Sequence, residues 1–200
     1  MNPAGATKKP FTRPIAQSVL KVAQRKAASQ LDVFVAGPYV DVTWGSEERT
    51  NKTPVAQLRL EVIEFVQRLE HRSVLGEHKG VSEVTEENIP TQASIALSEL
   101  ELVDGADAIV IIPDSPGSFC ELGAWSIRDD LCPKTLILGN LSYQSSFSYV
   151  GNGVFPMAEH LHATVAWIDY TNRDEACKIV ERFLSSIQDR IVSRMLRRGR

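Results

Sequence analysis

The stretch "IVIIPDSPGSFCELGAW" (Ile109–Trp125) decides the fold. An unbroken apolar run stops at Pro113, a short polar turn follows, and a segment of helical composition begins within that turn. A strand that is apolar throughout is covered on both faces, which is the mark of a parallel sheet. In the turn, Ser115-Pro116-Gly117-Ser118 lets the backbone bend sharply, and Gly117 permits a ligand to come close. The helix that follows aims its free amides at the same place, so the turn suits phosphate or sugar hydroxyls.

Working outward, "LDVFVAGPYV" (Leu31–Val40) is a short strand closed by Gly37-Pro38. Val55, Leu58, Val62, Phe65, Val66 and Leu69 repeat at three and four, predicting a helix from Pro54 to Glu70 with Thr53 as its cap. A weak strand "RSVLG" comes next, then a helix carrying Ile95, Leu97, Leu100, Leu102 and Val103 that ends near Gly105. After it stand the strand "DAIVII", a helix from Ser118 to about Asp130 and the strand "KTLIL". A Ser-, Tyr- and Gly-rich connection over 140–162 precedes the strand "ATVAWI". In the long final helix, Ile179, Val180, Phe183, Leu184, Ile187, Ile191, Val192 and Met195 form one stripe. Ahead of all these, Ile15, Val19, Val22 and Ala23 after Pro14 predict a first helix.

Five strands alternating with helices predict an α/β fold, a single-domain flavodoxin/Rossmann-like parallel five-stranded sheet with helices on both faces. The expected division is a basic N-terminal helical arm over 1–30 and an α/β domain over 31–200 that ends in the long helix. Three connections are long for such a domain: Tyr39 to Lys52, Glu77 to Asn88 and Asn140 to His162. The first two and the Ser115–Ser118 turn all follow strands, so they converge on the carboxyl edge, where open α/β sheets bind ligands.

The net charge of -3 conceals a segregation. Residues 1–30 and 190–200 hold 11 of the 22 basic residues and none of the 25 acids, leaving the body near -14 and the ends near +11. The ends are solvated arms, or they touch nucleic acid or an acidic protein partner. An organelle transit peptide is a further reading of the acid-poor N-terminus, weakened by its excess of Lys over Arg. No apolar run approaches the roughly 20 residues that cross a bilayer, and no secretory signal is visible, so a cytoplasmic protein without membrane contact is expected. Cys120, Cys132 and Cys177 show no CxxC spacing, and no His, Cys and carboxylate cluster has ligand spacing, so neither a zinc site nor any other metal is expected.

Glu121 admits two readings. Ser118-x-x-Glu121 is a capping box, in which Glu121 only reaches back to the cap amide. Alternatively, a carboxylate in the first turn of a helix, near its positive end, stays ionised and serves as a nucleophile or electrostatic partner. A glycosidic carbon is the natural target of such a group, and that chemistry wants a second acid nearby. Glu99 can supply it, because its helix runs directly into the strand that presents the 115–121 loop.

"VFVAGPYV" (Val33–Val40), "GEHKG" (Gly76–Gly80), "SELELVDGADAIVII" (Ser98–Ile112) and "DSPGSFCELGAW" (Asp114–Trp125) resemble the ordered motifs of the nucleoside 2-deoxyribosyltransferase superfamily. That superfamily includes 2'-deoxynucleoside 5'-phosphate N-hydrolases and the N-glycosidase effectors of bacterial anti-phage systems, some of which attack NAD. The resemblance covers roughly Leu31 to Leu138. It implies that Glu121 is the nucleophile and Glu99 the second acid, a position where the family usually has Asp. It further implies that Ser115, Gly117 and Ser118 hold phosphate or sugar, that Gly37 and Pro38 form the first glycine turn, and that homo-oligomers are usual.

Asp114 and His78 belong to these motifs and are candidate substrate contacts, although a His in a polar loop is often only solvated. Tyr39, Trp44 and Trp125 offer faces on which a base or nicotinamide ring would stack, or they are core residues. Arg49 is a candidate phosphate partner or a plain surface arginine. The expectation is an N-glycosidase acting on NAD or a (deoxy)nucleoside 5'-phosphate, with no cofactor and with NAD only as a possible substrate. A deoxyribose transferase, a nucleotide-binding sensor without turnover, and an effector held in a nucleic-acid or protein complex by its basic ends are the rivals.

Overall fold

The computed structural model describes residues 29–76, 93–144 and 147–198. Its elements in chain order are β1 (Asp32–Ala36), α1 (Ser46–Thr50), α2 (Pro54–Arg68), β2 (Arg72–Val74), α3 (Ala93–Gly105), β3 (Ala108–Ile111), α4 (Pro116–Trp125), β4 (Thr135–Asn140), α5 (Leu141–Gln144), α6 (Phe155–His160), β5 (Thr164–Ile168) and α7 (Arg173–Arg198). A 3-10 turn at Cys132–Lys134 and a π-helical turn at Val150–Val154 complete the set.

The five strands make one sheet in the order β2-β1-β3-β4-β5, and every neighbouring pair is parallel. This is the expected single α/β domain with the flavodoxin-like order. Residues 30–187 form its body, and the described residues of a second unit are 29 and 188–198. In the described part of that unit, Val192 is buried, Met195 is exposed, and the Gln188 side-chain amide donates to the Ser29 carbonyl at 2.9 Å. The predicted first helix and the basic arm lie outside the described residues.

Alternation along the strands splits the core in two. Phe34, Ala36, Ile109, Ile111 and Ile137 face α3, α4 and α6, meeting Val103, Leu122, Phe155 and Ala158. Val33, Val35, Val110, Leu136 and Leu138 occupy the alternate positions and are equally buried, as are Leu58, Val62 and Val66 of α2 and Val180 and Leu184 of α7. Right-handed crossovers require helices on both faces of a sheet with this order. At Gly139, where β4 passes Trp167 of β5, a Cβ would lie 2.7 Å from the Trp167 ring and 2.8 Å from Phe155, so glycine is what admits the Phe155–Trp167 stack with centroids 4.5 Å apart.

Several boundaries follow directly from sequence chemistry. Thr53 caps α2 by accepting from the Ala56 N–H, with Pro54 in the first turn. Lys134 donates to the carbonyls of Val103, Asp104 and Ala106 at 2.7–3.1 Å, closing the end of α3 with a cation where the helix dipole favours one. The connection over 140–162 differs from expectation, since α5, the π-helical turn and α6 occupy much of it. These pieces are too short to show a hydrophobic period. Among the described residues, no helix is long and apolar enough to cross a membrane.

Candidate active site at the carboxyl edge of the sheet

Because the strands are parallel, the segments after β1, β2, β3 and β4 all emerge at one edge. The first is Gly37-Pro38-Tyr39. Gly37 has φ 154°, and a Cβ there would lie 3.1 Å from both Arg59 Cδ and the Ile112 carbonyl oxygen. Only glycine takes that conformation without strain. Arg59, 2 % exposed on α2, donates to the carbonyls of Val35 (2.7 Å), Gly37 (3.2 Å) and Pro38 (2.7 Å). Tyr39 is 66 % exposed and sits edge-on to Trp44, whose ring carries the Lys52 ammonium 3.9 Å from its centroid.

The turn after β3 is built by two serines. Ser115 is the N-cap of α4, and its hydroxyl accepts from the Ser118 N–H at 3.2 Å. Ser118, 1 % exposed, accepts from the N–H groups of Asp114 (3.1 Å) and Ser115 (2.9 Å). Its hydroxyl also lies 2.9 Å from that of Ser115 and 3.0 Å from the Ser115 carbonyl oxygen. Ser118 therefore shapes the turn from inside it. Open space surrounds the position of a Cβ on Gly117, and Gly117, as the second residue of α4, has an N–H with no partner inside the helix.

This geometry corrects two expectations. The helix begins at Pro116, not Ser118, so the capping box pairs Ser115 with Ser118. Glu121 is not its reciprocal member. Glu121 is also in the second turn, and α4 has no acid in its first. A helix dipole acts mainly within one turn, and Glu121 stands beyond it. The Glu121 side chain is half-buried and its Oε2 is fully buried.

Glu99 lies on α3, half-buried. Its carboxylate rests over Gly76, just beyond β2, where a Cβ would come within 2.5 Å of Oε1. Both motif acids and the Gly37-Pro38 turn thus belong to elements that meet this edge. His78 lies outside the described residues.

Asp114 leads into the serine turn and is bound by the Tyr143 hydroxyl on α5. Desolvation raises its carboxyl pKa above the ordinary value, with the Tyr143 hydrogen bond acting in the opposite sense. Tyr143 packs edge-on to Phe119 with centroids 5.6 Å apart. Below them Tyr170 is 3 % exposed and donates to the carbonyl oxygens of Pro113 (3.2 Å) and Leu138 (3.0 Å), and burial drives its phenol pKa far up.

Two expected ligand contacts are occupied by the protein. Trp125 is 5 % exposed and packs edge-on to Phe34 at 5.9 Å, so its ring is part of the core. Arg49 donates to the carbonyls of Trp44 (2.8 Å) and Val42 (3.2 Å) and pairs with Glu64, which pins the 41–45 loop to α2. It borders an open cleft of about 430 Å³ with Trp44, Gln57, Glu61 and Arg173. Arg59, Tyr143 and Tyr170 were not among the residues expected from the sequence. Only Arg59 left a trace: it occupies a position between Val55 and Val62 on the apolar stripe of α2. Among the described residues, no group of His, Cys, Asp or Glu could hold a metal ion.

Residues 51–197 match the family model of the STM3845 retron effector protein. Over 62 residues the chain is 36 % identical to an Escherichia coli protein of retron Ec86, named as a candidate ribosyltransferase/DNA-binding protein. That match spans 31 % of this chain and 20 % of the relative's length. FerB, a flavoenzyme NAD(P)H:(acceptor) oxidoreductase from Paracoccus denitrificans, superposes over 82 % of this chain and 96 % of its own with a TM-score of 0.35 and 13 % identity.

Proposed function

Because the chain belongs to the STM3845 retron effector family, we propose that it is a phage-defence effector that cleaves the N-glycosidic bond of a nucleotide, either NAD or a (deoxy)nucleoside 5'-phosphate. The observation that carries this reading is the placement of Glu121. It stands one turn into α4, directly after the Ser115–Ser118 turn, in a helix whose capping box pairs Ser115 with Ser118. The ribosyltransferase wording of the retron relative's name agrees with glycosyl transfer.

In the proposed reaction a Glu121 oxygen bonds to the anomeric carbon as the bond to the base breaks, and the base departs with that electron pair. Water then attacks the same carbon, releases the sugar and restores the carboxylate. With a deoxynucleotide, Glu99 gives the departing base its proton and later takes one from water. With NAD, nicotinamide leaves as a neutral molecule from a cationic nitrogen, and Glu99 serves mainly to position the substrate.

The test is release of free base, followed by chromatography, when purified protein meets NAD and a panel of nucleotides. Glu121→Gln is expected to lower release by at least about 10³-fold with an unchanged melting temperature, because the nucleophile itself is lost. Glu99→Gln should be severe on deoxynucleotides and mild on NAD. A second reading is a nucleotide-binding sensor, favoured by the Glu at position 99 where the resembled superfamily usually has Asp. Tight binding by wild type with no base release would establish the sensor.

A further inference from the structure

Arg59 is a buried charge to which the proposed reaction gives no part. Its fork gathers three carbonyls, those of Val35, Gly37 and Pro38, on the α2 side of the first turn. A trans peptide is planar, with its C=O and N–H pointing in opposite directions. Drawing the Pro38 carbonyl toward α2 therefore directs the Tyr39 N–H, in the same peptide unit, away from α2. A side chain at Gly37 would crowd this arrangement, since its Cβ would lie 3.1 Å from both Arg59 Cδ and the Ile112 carbonyl oxygen. Its acceptors are turned inward, and a donor is presented at the edge where β1 and β3 end. Backbone donors aimed outward from a concave turn select anionic oxygens.

We propose that Arg59 is a positioning residue, which holds the carbonyls of the Gly37-Pro38 turn inward so that the Tyr39 N–H meets a phosphoryl oxygen of the ligand. The proposal rests on the nucleotide reading above. The phosphoryl group is either a nucleoside 5'-phosphate or the pyrophosphate of a dinucleotide, and the two leave different signatures.

Calorimetric binding to the full chain tests this with adenosine against AMP, and with nicotinamide riboside against NAD. Wild type is expected to prefer the phosphorylated member of one pair by at least about tenfold, the scale of one charge-assisted hydrogen bond. A preference confined to the first pair identifies the monophosphate, and one confined to the second, with adenosine alone showing no measurable binding, identifies the pyrophosphate. Arg59→Lys, which keeps the charge and loses the fork, should erase that preference while affinity for the unphosphorylated partner changes by less than about threefold. Tyr39→Pro deletes the N–H together with the ring and should do the same, whereas Tyr39→Ala deletes the ring, keeps the N–H and should keep the preference. If Arg59→Lys does not fold, the two Tyr39 variants decide. Equal weakening of both members of a pair in Arg59→Lys, or an intact preference in Tyr39→Pro, overturns the proposal. Binding by wild type without phosphate preference sinks this assignment only, whereas no binding of any nucleotide sinks the nucleotide reading as well.

Discussion

The two turns that frame the carboxyl edge are made in opposite ways. After β3, Ser115 and Ser118 stand three residues apart and supply each other and the adjacent backbone with partners. After β1, the Gly37-Pro38 carbonyls are held by a guanidinium 21 and 22 residues further along the chain. The serine turn can form with its own helix, from neutral groups, before the sheet is complete. The other exists only once α2 has docked on β1. A cradle built locally is a property of a motif, and one built at long range is a property of the fold.

Breaking the long-range turn should cost the most. Gly37→Ala forces a side chain into a positive-φ site against the Ile112 backbone, and we expect a loss of about 2–3 kcal/mol in denaturant unfolding. A smaller loss would mean that the turn moves freely and that Arg59 does not hold it. Ser118→Ala removes a buried hydroxyl that accepts from two N–H groups, and about 1–2 kcal/mol is expected by the same measurement. Asp114→Asn sharpens the comparison from the rim. The folded pKa of Asp114 is raised, so its carboxylate costs stability above that value, and the cost fades as pH falls from there towards the ordinary 3.8 and is gone below it. The Asn variant should therefore be slightly more stable than wild type at pH 7, by less than about 1 kcal/mol given the exposure of the group. That advantage should vanish near pH 3 in matched melts.

The same division explains what could be read from the residues alone. α2 was legible because Thr53, Pro54 and the three-and-four period all speak of one helix, and the observed Pro54–Arg68 ends two residues short of the expected end. The start of α4 was misplaced because two serines compete as caps. Ser115 prevails, with Pro116 supplying a preset first turn. The parallel order followed from apolar strands alternating with helices. Arg59, Tyr143 and Tyr170 were not recoverable, since their partners are distant in sequence and no local rule marks them. Trp125 shows the converse: a motif residue at the right spacing whose ring is taken by Phe34.

Tyr170 carries a consequence for the order in which the molecule is completed. Its phenol joins the ends of β3 and β4 through Pro113 and Leu138, 57 and 32 residues upstream. On a ribosome those two strands emerge well before the crossbar that links them. A nascent chain halted short of the fifth strand has the serine turn but lacks the bolt between strand tips, so the carboxyl edge is among the last parts of the body to be finished.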